Sequence, residues 1–128
     1  MATRSLIGIN LNNGITKIIY CHWDGQIYSN GVILNNNYNT KDKVEELISL
    51  GSLSSLDETI DRTVAHHRDN GEDLVQNPFS NVEDLFENGF SSGIEYVYCF
   101  TKDEFWLVCE YGSNHVAVLS EVIEEEGL

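Results

Sequence analysis

The residue types that carry chemistry are few in this chain, and most stand at spacings that metals and nucleophiles do not use. There are three cysteines and four histidines. Cys21 and His22 are consecutive, as are His66 and His67. In a strand, consecutive side chains leave opposite faces, so neither pair can converge on one metal ion. Cys99 and Cys109 are expected on opposite faces of a shared hairpin. Structural zinc needs ligands returning at Cys-x-x-Cys or His-x-x-x-His intervals, and the sequence has none. A Gly-x-Ser-x-Gly elbow, a phosphate-binding Walker loop and a dinucleotide fingerprint are also missing. Pairing Cys21 or Cys109 with His67 as a nucleophile has no support from spacing, so the cysteines read as small buried hydrophobes. No cofactor and no metal is expected.

Two polar groups remain, and the first is assembled by strand pairing. Residues 5–11 and 15–23 flank Asn13-Gly14, the strongest short hairpin signal. A two-residue turn there pairs Ser5 with His22, Arg4 with Trp23 and Thr3 with Asp24. Arg4 and Trp23 then share one face, within reach of a cation–π contact. Arg4, Ser5, His22, Trp23 and Asp24 form a candidate ligand corner, with an aromatic face for stacking and donors for phosphate. The same residues also read as a plain hairpin end, with Asp24-Gly25 as turn, Trp23 on the core rim and His22 bonded to Ser5. The second group is residues 67–73, an imidazole, a guanidinium and carboxylates around Gly71. Arg68 and Asp69 join the candidate ligand residues because element ends are where sites are built. The alternative is a solvated loop with an internal Arg–Asp pair.

The elements that must position these groups are short. Thr40 is a suitable N-cap for a helix over residues 41–50, with Val44, Leu47 and Ile48 in one stripe and Gly51 as the stop. Residues 32–34 lean to helix, and residues 62–68 read as a strand entering a polar turn. Ser80 with Glu83 forms a capping box for a helix over Val82, Leu85 and Phe86, ending near Gly89. A second hairpin is expected over residues 94–101 and 104–111, turning at Lys102-Asp103. Its register puts Tyr96, Tyr98, Phe100, Phe105, Leu107 and Cys109 on one core face. Residues 116–118 add an edge strand, and residues 120–126 an acidic helix prone to fraying. The expected fold class is α+β, a mostly antiparallel sheet of two hairpins plus a middle strand, with two to three short helices packed on it. A chain of 128 residues with 41% hydrophobic and 22% charged residues fits one domain with a real core.

Charge narrows the partners. The net charge is −14. Residues 1–68 hold six basic and seven acidic residues, whereas residues 69–128 hold one base, Lys102, against fourteen acids. Direct binding to DNA, RNA or an anionic membrane is disfavoured, because phosphate contacts need Lys and Arg. An odd number of cysteines and an N-terminus without a long apolar run point to a reducing cytosol, without signal peptide or anchor.

Several segments resemble a family of small accessory proteins carried by tailed bacteriophages. They are Thr3-Arg4-Ser5, Tyr20-Cys21-His22-Trp23-Asp24-Gly25, Leu50-Gly51 with Leu53-Ser54-Ser55-Leu56, residues 68–72, Glu95-Tyr96-Val97-Tyr98 and Trp106. The resemblance spans nearly the whole chain, and the Tyr-Cys-His-Trp-Asp-Gly segment is its most specific part. One departure stands out: the family often follows Asp-Gly with Tyr-Pro, whereas residues 26–31 here contain no proline. The resemblance implies an anti-defence role in the host bacterial cytoplasm. Some such proteins are sponges that sequester nucleotide immune signals, such as the cyclic oligonucleotides of CBASS systems or ADP-ribose derivatives. A sponge needs stacking, phosphate donors and an oligomer interface, so a homo-oligomer holding a small nucleotide second messenger is the leading expectation. The alternative is an acidic anti-CRISPR-like inhibitor that fills the nucleic-acid groove of a basic host protein. A third reading is a small phosphodiesterase using His22, His66, His67 and Asp69 for acid–base work.

Overall fold

The computed structural model describes residues 2–10, 16–71, 77–79, 82–113 and 115–128. The first half runs β1 (Arg4–Asn10), β2 (Thr16–Cys21), one π-helical turn (Ile27–Gly31), α1 (Val32–Asn37), α2 (Lys41–Ser49), β3 (Leu53–Ser55), β4 (Val64–Ala65) and α3 (His66–Asn70). The second half runs β5 (Asn77–Phe79), α4 (Val82–Asn88), β6 (Ile94–Phe100), β7 (Trp106–Glu110), β8 (Ala117–Val118) and α5 (Leu119–Glu125).

The class is α+β, but the sheet is mixed rather than mostly antiparallel. Its order is β4-β3-β2-β1-β6-β7-β8, with β5 also paired to β2. Consecutive strands β1–β2 and β6–β7 pair antiparallel, while β1–β6 and β2–β3 pair parallel. Parallel neighbours require a long crossover, here the excursion that carries the helices between β2 and β6. Among the described residues there are five α-helices, more than the two to three expected.

Local signals placed several elements well. Thr40 Oγ1 accepts the Lys43 N–H at 3.4 Å at the start of α2, and Gly51 follows it at φ 73°. Val44, Leu47 and Ile48 are the buried stripe. The leaning of residues 32–34 to helix agrees with α1. The Asn13-Gly14 turn and Ser80 of the capping box lie outside the described residues. Residues 62–68 correct the expectation, since only Val64–Ala65 is strand and α3 begins at His66. Asp69 explains the change: its carboxylate accepts the Ala65 N–H at 2.8 Å, closing the first turn of α3.

Both hairpin registers differ from the expected ones by a single residue. Ser5 faces Cys21 and Ile7 faces Ile19, so every side chain of β2 changes face relative to β1. The reason is that β1 is a central strand buried on both sides. Ile7, Ile9, Ile19 and Cys21 enter the larger core under α1, α2 and α5, while Leu6 and Ile18 enter a smaller one with Leu85 of α4. The expected pairing would have set Tyr20 and His22 against the larger core instead. In the second hairpin Tyr96 faces Glu110 and Phe100 faces Trp106. Residues 101–105 make a wider turn, closed by the Thr101 N–H to Phe105 carbonyl bond at 2.9 Å, with Glu104 at φ 63°. Trp106 and Val108 therefore join Tyr98 and Phe100 in the core, not Phe105, Leu107 and Cys109. Indole burial decides this register. Trp106 Nε1–H donates to the Tyr38 carbonyl at 2.8 Å, and its ring meets Phe100 edge-on at 5.2 Å.

These registers predict opposite costs at adjacent aromatic residues. Trp106→Ala should destabilise by about 3–5 kcal/mol, because a buried indole leaves a cavity and an unpaired carbonyl. Phe105 is 39% exposed. Phe105→Ala should therefore stay within about 0.5 kcal/mol of wild type. Urea denaturation of the two variants checks the register; equal costs would contradict it.

Candidate ligand-binding site

The sheet end where β1 starts and β2 finishes gathers most of the candidate residues. Beyond Cys21 the chain turns off the sheet into the loop of residues 22–31, and that loop is firmly tied. Gly25 N–H donates to the Thr3 carbonyl at 2.9 Å, and Gln26 Nε2 donates to Thr3 Oγ1 at 2.7 Å. Tyr98, fully buried, donates its hydroxyl proton to the Gly25 carbonyl at 2.6 Å. Asn30, also fully buried, donates to the Trp23 carbonyl at 2.9 Å and to Cys21 Sγ at 3.5 Å. Asp24 takes a left-handed conformation at φ 61°, which Asp tolerates better than most residues. Its carbonyl accepts the Asn30 N–H at 3.1 Å, so the strained turn is clamped from within.

This scaffold presents Trp23 outward, 44% exposed. The His22 ring meets the indole edge-on, centroids 4.7 Å apart at 88°. His22 Nδ1 in turn shares a 2.7 Å hydrogen bond with the Tyr20 hydroxyl. With the phenol donating, the neutral imidazole carries its proton on Nε2. Burial pushes the Tyr20 phenol up, and the Arg4 guanidinium partly offsets it. Arg4 also reaches over Gly93, where an added Cβ would stand 3.1 Å from Nη1.

The slipped register rearranges the expected corner. The β1–β2 pairing ends at Ser5–Cys21, and His22 and Trp23 donate their N–H groups to the Leu53 and Ser54 carbonyls of β3, so the expected Arg4–Trp23 strand pair is not part of the ladder. Ser5 is fully buried on the other face and has no hydrogen bond to His22, so neither the Ser5–His22 bond nor an exposed Ser5 donor is present. Tyr20, Asn30 and Tyr98 were missed by sequence reasoning. Tyr20 was readable as the residue two before His22 on one strand face, but Asn30 and Tyr98 act over distances that no local pattern encodes.

Arg68 and Asp69 do not join this group. They follow β4, which lies beyond β3, the strand that His22 and Trp23 join through backbone hydrogen bonds. Arg68 donates to the Ile60 carbonyl at 2.9 Å, to the Thr63 carbonyl, and to both Asp69 oxygens. Its guanidinium is raised mainly by the Asp69 hydrogen bond, and Asp69 is lowered by Arg68 and then by the Ala65 N–H. The pair fastens the chain around residues 57–63 to α3. Two open clefts of about 440 and 480 Å³ occur among the described residues, and neither includes any of the seven candidate residues.

The cysteines are unpaired and buried. Burial pushes the thiols of Cys21 and Cys99 up to about 12, and raises Cys109 as well. Cys99 and Cys109 lie on the same face, not on opposite ones, because Cys99 faces Leu107 and Cys109 faces Val97. Such diagonal neighbours stand roughly 7–8 Å apart, too far for a disulfide. Among the described residues no group of three His, Cys, Asp or Glu is placed to hold a metal ion, and no helix is long and apolar enough to cross a membrane.

No protein-family profile, curated protein or solved structure matches this chain.

The thiol environment predicts slow reaction with a water-soluble disulfide reagent at pH 8, and three equivalents of free thiol once the chain is denatured. Unfolded thiols ionise near pH 8.5 while Cys21 and Cys99 stay protonated in the fold until about 12. Above pH 8.5 the unfolded chain therefore binds fewer protons, and stability should fall as pH rises towards 12. Rapid labelling of all three thiols in the native protein would contradict this burial.

Proposed function

We propose that this protein binds a small nucleotide signal without transforming it, on the platform made by Trp23, His22 and Arg4. The observation that carries the reading is the braced, exposed indole. A large aromatic side chain left in water at a rigid sheet end costs hydrophobic burial, and base stacking would recover it. The imidazole behind it is a donor type that phosphate takes, and Arg4, at the start of β1 with its guanidinium over Gly93, is the cation of the same sheet end. Tyr20 fixes the imidazole, so ring and donors are arranged before a ligand arrives. Arg68 and Asp69 are left out of this platform, since Arg68 donates to the Ile60 and Thr63 carbonyls and to Asp69, and Asp69 also accepts the Ala65 N–H.

The resemblance to phage accessory proteins supplies the class of ligand, a cyclic oligonucleotide or an ADP-ribose derivative acting as an immune signal in the infected cell. The platform is open to one side, and an oligomer that closes it would complete enclosure of the ligand. Binding is favoured over hydrolysis because the thiols are buried and protonated, and because Asp69, a carboxylate of the phosphodiesterase reading, is engaged by Arg68.

Calorimetry with a panel of cyclic di- and trinucleotides and ADP-ribose derivatives tests the reading. One class should bind and be recovered intact by mass spectrometry after denaturation. Trp23→Ala should weaken binding by about 1–3 kcal/mol through lost stacking. Arg4→Ala should cost about 1.5–3 kcal/mol, roughly tenfold to a hundredfold. Arg68→Ala should lower the melting temperature and leave affinity alone. Recovery of a hydrolysed product would favour the phosphodiesterase. No binding to any nucleotide, with salt-sensitive capture of a Cas effector, would favour the acidic inhibitor.

A further inference from the structure

A second surface, whose lining includes neither Trp23 nor His22, has the chemistry of a docking groove. The smaller core lies on the face of the sheet covered by α4, a helix of only seven residues. Past the end of α4 the face stays open as a cleft of about 480 Å³. Phe86, Phe90, Cys109 and Val116 line it, and Tyr111 forms one wall. Tyr111 is 67% exposed and Val116 38% exposed. The Phe90 and Tyr111 rings stand 6.0 Å apart at 55°, leaving apolar ring surface directed at solvent. Among the described lining residues the one charged side chain is Glu87.

Charge says what this groove suits. Glu83 and Glu87 are exposed on α4, and Glu95 is exposed on the strand face shared with Val97. Lys102, the single base of residues 69–128, sits in the β6–β7 turn at the far end of the strands from the cleft, so among the described residues the one base at the near end is Arg4, over Gly93, against the three exposed glutamates. An apolar groove under negative potential repels nucleic acid and anionic lipid. A second copy of this chain is disfavoured too, because a two-fold contact would press the same carboxylates against each other. A polypeptide segment with apolar side chains flanked by Lys or Arg satisfies both features.

We infer that this cleft docks a cationic amphipathic segment of a partner protein. Tyr111 and Phe90 grip its apolar side chains, while Glu83, Glu87 and Glu95 attract its bases. The groove does not share residues with the Trp23 platform, so the inference stands independently of nucleotide binding.

Fluorescence anisotropy with the full chain tests it, using a labelled amphipathic peptide of Leu and Lys. An all-Lys peptide of equal charge and a Leu/Glu peptide serve as controls. The Leu/Lys peptide should bind, weaken with added salt, and bind at least about tenfold tighter than either control. Tyr111→Ser combined with Val116→Ser should reduce its affinity by about tenfold or more at an unchanged melting temperature. Glu87→Lys should also weaken it, whereas Trp23→Ala should leave it intact. Equal binding of the all-Lys peptide, or full affinity in the Tyr111→Ser/Val116→Ser variant, would overturn the proposal. So would sedimentation showing a dimer that this double substitution dissociates, since the groove would then be a self-association surface.

Discussion

The Tyr98 hydroxyl, donating to the Gly25 carbonyl, joins the two halves of the molecule. Tyr98 comes from β6 and Gly25 from the loop after β2, and β1 lies between those strands. The bond exists only because β1 and β6 run parallel, with Tyr98 facing Ile7 on the larger core side. Glycine at position 25 is part of the same constraint. A Cβ there would stand 2.8 Å from the Thr3 carbonyl oxygen and 3.0 Å from Ser5 Cβ. The loop therefore lies directly on the first strand, and Trp23, two residues earlier, is held at the sheet end. A buried phenol and a buried amide, Asn30, do the holding, so the loop is fixed by directional bonds rather than by packing alone.

How much of this was legible depended on how local the cause was. Thr40, Gly51 and the Val44–Leu47–Ile48 stripe announce α2 because capping and periodicity act within one helix. The strand segments were also visible, since alternating β-branched and aromatic residues mark them. Their partners were not. Nothing near residue 4 or residue 94 indicates that β1 and β6 lie side by side, because that pairing is decided by the helices between them. Register failed for a related reason. Asn13-Gly14 and Lys102-Asp103 suggest tight turns, but burial of Ile19 and of Trp106 selects the neighbouring register. The candidate site inherits that error: Trp23 is readable as exposed chemistry, whereas the tight-turn register puts His22 opposite Ser5, on the wrong face of β2.

The structure also separates two roles that one charge count blends together. Arg4, His22 and the exposed Trp23 belong to the near-neutral first half, and the His22 ring meets the indole. Of the carboxylates of the second half, Glu87 lines a different surface, the apolar cleft beside Tyr111 and Phe90. A protein with net charge −14 can then still take a phosphate ligand, because affinity follows local donors and not the total. Arg68 illustrates the converse. Its guanidinium is occupied by the Ile60 and Thr63 carbonyls and the Asp69 carboxylate, so charge alone does not make it a ligand residue.

The two tryptophans provide a direct reporter, since one is exposed on the platform and the other is buried against Tyr38. Their indole N–H signals in a two-dimensional nitrogen–proton spectrum can be assigned by Trp23→Phe and Trp106→Phe substitution. Titration with the nucleotide that binds most tightly in calorimetry should move or broaden the Trp23 signal in proportion to occupancy and leave Trp106 in place. A Trp23 signal that stays unmoved while the ligand saturates the protein would contradict the account.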